Sequence, residues 1–308
     1  MTFPPFFSFG LPLASSEGPN FSWNLLVDLQ DMFQYDFMIH AFLVGTIIAV
    51  VAGVVGYFVV LRGLAFASHT LANIGFAGAA GAVLIGVSPV AGLLTFTLAG
   101  ALGISLFGRR LSQRDVFVGI ILALALGLGF LFISLYQGYS TDAYSVLFGE
   151  ILGITAQDVV VALIVGAITL LALAVFYRPL LFASLDEEAA RARGVPVRFL
   201  AIVFLLLLAL TIAEAVQIVG VLLIFALLVT PAAIAEQLTS RPVATLVLSV
   251  SLALLFTWGG LFVAYYLPYP LGFFITSLSF ATYLIVWLAK SQLRQLKRVQ
   301  TTLEGERV

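Results

Sequence analysis

The chain has no cysteine, and only 9% of its 308 residues are lysine, arginine, aspartate or glutamate. Without a thiol there is no disulfide, no thiolate metal site and no cysteine nucleophile. The scarcity of charge excludes more. A soluble domain carries about 25% charged residues because its surface must be hydrated, and this chain has too few to cover a face turned to water. Histidine is scarce too: His40 and His69 are the only 2, and no His-Glu-x-x-His occurs. Gly-x-Ser-x-Gly, paired helical aspartates and Gly-x-x-x-x-Gly-Lys-Ser/Thr are also missing, which argues against an intramembrane hydrolase or transferase and against an ATPase. If ATP drives this protein, another subunit hydrolyses it. No lysine or arginine precedes Arg62, so the N-terminus lacks the basic region of a secretory signal. No nucleic-acid partner is expected, and the net charge of −1 is by itself uninformative.

What the chain has in abundance is apolar sequence, at 62%. A hydrocarbon core about 30 Å thick is crossed by roughly 20 apolar residues in a helix. That length picks out spans at 38–62, 65–86, 89–107, 116–136, 158–177, 198–214, 217–237, 243–266 and 271–290. The expected fold is therefore an all-α polytopic membrane protein with about nine transmembrane helices, in a range of roughly eight to ten, because 142–156 also suits a re-entrant or interfacial helix. Residues 1–37, with Pro4, Pro5, Pro12 and Pro19, read as an irregular extracytoplasmic lead that carries an interfacial turn over 23–33. Residues 38–290 form the membrane domain and 291–308 a basic tail.

The basic residues orient these spans. Arg62, the Arg109, Arg110 and Arg114 group, the Arg178, Arg191, Arg193 and Arg198 group, Arg241, and the tail set Lys290, Arg294, Lys297, Arg298 and Arg307 all fall in alternate connections, and they account for all 14 lysines and arginines. The opposite side holds Glu17, Asp28, Asp31, Asp36, Asp142, Glu150, Asp158 and Glu214 without a basic residue. This predicts the N-terminus outside and the C-terminal tail in the cytoplasm. Small residues recur every four positions at Gly45, Ala49 and Gly53 and at Thr95, Ala99 and Gly103, a spacing that lets helix backbones approach closely in lipid.

Polar groups inside a bilayer are costly, which makes each a functional hypothesis. His69 stands about 10 Å into the second span and Asn73 about 16 Å, one turn apart on one face. An imidazole nitrogen and an amide oxygen together suit a divalent metal. The plainer reading is a core histidine bonded to a nearby carbonyl. Between the fifth and sixth spans, Ser184 precedes Asp186, Glu187 and Glu188, with Arg191 after them and Gly194 and Pro196 closing the stretch. That pattern predicts a cytoplasmic helix of about eight residues, N-capped by Ser184 with Glu187 completing a capping box, and stopped at Gly194. It is either a solvated linker or a docking helix. Pro231 kinks the seventh span. Asp142, Glu150 and Glu214 sit at the outer interface, either merely solvated or serving docking or cation intake.

Several segments, in order, resemble the permeases of the manganese/zinc/iron family of bacterial ABC importers. They are Gly56 to Arg62, Arg114-Asp115, Gly119-Ile120, Leu147 to Glu150, Asp186 to Pro196, Val219 to Ala233 and Pro270 to Gly272, within a resemblance that runs from Phe37 to Leu288. It implies the fold of the vitamin B12 and siderophore permeases, a homodimeric or pseudodimeric pore in the bacterial plasma membrane, two cytoplasmic ATPase subunits and an extracytoplasmic metal-binding protein. It also implies that 184–194 is the coupling helix and that the cargo is zinc or manganese, with iron as a third candidate and no permanently bound cofactor. The family's second span carries Gly-Asp-x-Leu-x-His, whose aspartate and histidine line the metal path. Aligned without gaps, this chain has His69 in place of the aspartate and Asn73 in place of the histidine. The pair is neutral and softer, which leans toward zinc. The alternatives are a permease for a chelated metal or small organic cofactor, and a stand-alone channel or secondary carrier.

Overall fold

The computed structural model describes residues 30–107, 111–136, 153–267 and 269–305. They form α1 (Asp36–Leu61), α2 (Ala65–Leu84), α3 (Pro89–Phe107), α4 (Leu111–Leu135), α5 (Ala156–Leu185), α6 (Glu187–Ala192), α7 (Val197–Val219), α8 (Val221–Leu238), α9 (Pro242–Tyr266) and α10 (Leu271–Gly305). Leaving aside the short α6, the long helices match the predicted spans one for one. Only helices satisfy every backbone group within one segment in lipid, so the apolar runs have no other way to cross.

Of these, 7 are long and apolar enough to cross a membrane by length and composition. The other two are α2, diluted by alanine, glycine and polar residues, and α8, whose apolar stretch Leu223–Leu238 is shorter. Two boundaries differ from expectation. The fifth span does not stop at 177; α5 runs 30 residues, through Pro179 to Leu185. The break between the sixth and seventh spans is not at 214–217 but at Gly220 alone, with φ 83° and ψ 159°. That backbone is essentially restricted to glycine, and it lets two helices meet across one residue. The 142–156 segment lies almost wholly outside the described residues. At its end, Thr155 and Asp158 close a reciprocal capping box at the start of α5, which fixes where that helix begins.

The helices sort into a centre and a rim. Of the apolar windows of α1 and α7, 67% is buried inside the protein, against 17% for α4 and α10. The rim presents leucine, isoleucine, valine and phenylalanine outward, as expected where lipid is the solvent. Around α1 the helix contacts are close. Ser249 Oγ of α9 donates to the Gly53 carbonyl at 2.8 Å, and a Cβ on Gly56 would stand 1.9 Å from the Leu228 carbonyl oxygen of α8. The Gly45, Ala49 and Gly53 stripe is thus the seam between α1 and α9. The second predicted stripe is not a seam. Thr95 and Ala99 are exposed and nothing stands within 4 Å of Gly103. The α2–α3 approach lies elsewhere, at Gly78 and Gly92, where an added Cβ would come within 2.3 Å and 2.2 Å of the opposing carbonyl.

Candidate metal path and coupling helix

Most buried hydroxyls in the membrane domain are satisfied within their own helix. Thr97 Oγ1 donates to the Leu93 carbonyl at 2.8 Å, Thr211 to Leu207 at 2.9 Å and Thr257 to Ala253 at 2.8 Å. Against that background three buried atoms among the described residues have no hydrogen-bond partner: His69 Nδ1, Glu214 Oε1 and Thr169 Oγ1. Leaving such a group unpaired costs about 1–3 kcal/mol, so each calls for an explanation.

His69 and Asn73 lie one turn apart on α2. Asn73, 6% exposed, donates its amide nitrogen to the His69 carbonyl at 2.8 Å and approaches His69 Nε2 at 3.4 Å. With its nitrogen occupied, the amide presents its oxygen. The His69 ring stacks edge-on against Phe225 of α8, with centroids 5.3 Å apart. A purely structural histidine would have a ring nitrogen on a carbonyl. Here Nδ1 has no such bond, and a neutral imidazole nitrogen beside an amide oxygen is a donor set for a transition metal. The set is small: among the described residues no three His, Asp or Glu side chains gather at one point.

On α6 the sequence expectation needs correction. The helix spans six residues, Glu187–Ala192, and its N-cap is Asp186, whose Oδ1 accepts from the Ala189 amide at 2.9 Å. Ser184 is not the cap. Because α5 continues to Leu185, Ser184 is still inside that helix, donating to the Leu180 carbonyl at 2.6 Å and accepting from Arg62 Nη1 at 3.4 Å. Glu187 pairs with Arg191 one turn on, as an exposed pair that contributes only about 0.3–0.5 kcal/mol. Ala190 is fully buried and roots α6 on the protein. Past Arg193, whose guanidinium lies 5.4 Å over the Phe182 ring, Gly194 turns the chain at φ 79°. Glu187, Glu188 and Arg191, with Arg62 and Arg198, line an open cavity of about 660 Å³.

The outer candidates fare differently. Asp142 and Glu150 lie outside the described residues. Glu214 is not a solvated surface residue of this chain; it is buried in α7 at 7% exposure. Sequence reading also missed Phe225 against His69, for which there was no signal beyond an aromatic in a span, and Asp186 as the cap. The run Asp-Glu-Glu-Ala did carry a signal for Asp186, since aspartate two residues before a helix interior is an ordinary N-cap.

Comparison with known proteins agrees with this architecture. The ABC 3 transport family profile matches residues 34–290. The manganese import system permease protein ScaB of Streptococcus gordonii is 31% identical over 271 residues, 88% of this chain and 97% of its own length. The manganese transport system membrane protein MntC of Listeria monocytogenes is 32% identical over 238 residues, 77% of this chain and 85% of that one. Among solved structures, PsaBC from Streptococcus pneumoniae in complex with Fab superposes with a TM-score of 0.76 at 30% identity, covering 85% of this chain and 95% of that one. An inward-facing metal-chelate type ABC transporter shares the fold, with a TM-score of 0.66 at 19% identity. The chain belongs to the ABC 3 transport family and is a membrane-spanning permease subunit of an ABC importer, not itself the ATPase.

Proposed function

We propose that this permease passes a divalent transition metal, manganese or zinc, into the bacterial cytoplasm, with His69 and Asn73 lining the path. The observation that carries the site assignment is the unpartnered His69 Nδ1 beside the buried Asn73 amide. The similarity to permeases named for manganese supports the cargo class, and the softer His–Asn pair keeps zinc beside it. Two copies of the chain would bring two imidazoles and two amides to a shared axis, making up for the small donor set of one copy. A transport site has to release what it binds; capture then falls to the extracytoplasmic binding protein. The basic residues support an outer N-terminus and a cytoplasmic α6, the docking element for the ATPase.

The test is radiometal uptake into proteoliposomes holding the permease with its ATPase subunits and binding protein. Replacing His69 by leucine should abolish manganese and zinc uptake while leaving membrane insertion and ATPase assembly intact. Wild-type uptake by H69L would reduce His69 to a packing residue.

A further inference from the structure

Of the two unpartnered groups that the path just described does not use, Thr169 and Glu214, only Glu214 is ionisable. It is 7% exposed, its Oε1 has no hydrogen-bond partner, and no cation pairs with it among the described residues. A carboxylate left this way inside a bilayer protein is expensive and marks a functional position. Meanwhile α2 (Ala65–Leu84) contains no aspartate or glutamate, so a divalent cation at His69 and Asn73 meets only neutral donors.

The heights of these residues can be compared along α1. Phe204 of α7 meets Phe58, and Leu228 of α8 meets Gly56. At 1.5 Å per residue, Glu214 stands about 15 Å beyond the Phe58 level and Phe225 about 8 Å beyond it. The His69 ring lies against Phe225, and Asn73 is one turn, about 6 Å, further in the same direction. Glu214 and Asn73 therefore share nearly the same depth, on α7 and α2, which pack directly against each other. Six residues after Glu214 the helix breaks at Gly220, and α8 returns from there toward Phe225 and His69. Glu214 is thus a buried, unpartnered carboxyl group at about the amide's depth, on a helix that packs against α2.

We propose that the Glu214 carboxylate is a cargo-binding group of the metal path, supplying from α7 the negative charge that α2 lacks. The proposal rests on the metal-import reading. Its test is Mn²⁺ and Zn²⁺ uptake by the reconstituted complex carrying wild type, E214Q, N73D or E214Q/N73D, with uptake measured against metal concentration. E214Q keeps the shape and removes the charge; it should raise the KM for Mn²⁺ by about tenfold with normal expression and ATPase assembly. Adding N73D moves a carboxylate to α2 at the same depth, and should bring the KM back to within about threefold of wild type. A purely structural glutamate would not be rescued from another helix. Should E214Q match wild type, or should its defect persist in E214Q/N73D, this proposal fails while metal import stands. Wild-type vesicles that carry neither ion would overturn the import reading and this proposal together.

Discussion

The two polar helices, α2 inside the protein and the exposed α6, handle their polar groups in opposite ways. On α6 most are settled locally: Asp186 caps the first turn, Arg191 answers Glu187, and Gly194 closes the end. On α2 a ring nitrogen is left without a partner in surroundings where an unmet group is far more costly. A water-exposed helix could leave ends open cheaply and does not; a buried one does so at its greatest expense. Economy alone does not produce that pattern. Under the proposed function the settled helix is the rigid part to be pushed against, and the unsettled one is the surface that meets a ligand.

Three perturbations sharpen the contrast, from large to small. The unsettled face of α2 depends on the tight α2–α3 approach, so Gly78→Val, whose Cβ starts within 2.3 Å of the Gly92 carbonyl oxygen, should destabilise the protein by about 3 kcal/mol. Thermal unfolding in detergent would register this as a lowered midpoint, and an unchanged midpoint would mean that the helices part easily there. Replacing Glu187, Glu188 and Arg191 together by alanine should lower ATP-driven uptake about tenfold, while insertion and stability stay near wild type, because these side chains are exposed. Retained coupling would make α6 a mere linker. The smallest effect belongs to Asp186→Ala, which removes one cap and should cost about 1 kcal/mol. It should show as faster amide exchange confined to α6, and protection equal to wild type would mean that the buried Ala190 alone holds the helix.

The number and place of the long helices were legible because length and apolarity decide them. So was the His69–Asn73 pair, which follows from a spacing of four. What the sequence withheld depends on neighbours. Ser184 looked like a cap because nothing in the local pattern shows that α5 persists past Pro179; a proline does not end a helix when the surrounding structure supports its continuation. Glu214 looked solvated because it sits near the end of an apolar run, and only the packing of α7 among its neighbouring helices buries it. The Thr95, Ala99 and Gly103 stripe has the right period for packing, but period does not say which face of α3 meets a partner.

Asp186 is at once the last residue to cap α5 and the residue that caps α6. Two backbone dihedrals are therefore the covalent joint between a rod of 30 residues, about 45 Å long, and the six-residue foot at its end, which the buried Ala190 and the Arg193–Phe182 contact also hold. A displacement of the foot that the swivel and these contacts do not absorb is carried along the rod toward its capped start at Thr155. In mechanical terms α5 and α6 form a lever with one covalent hinge, and the stiffness of that hinge sets how much of a displacement at α6 reaches the far end of α5.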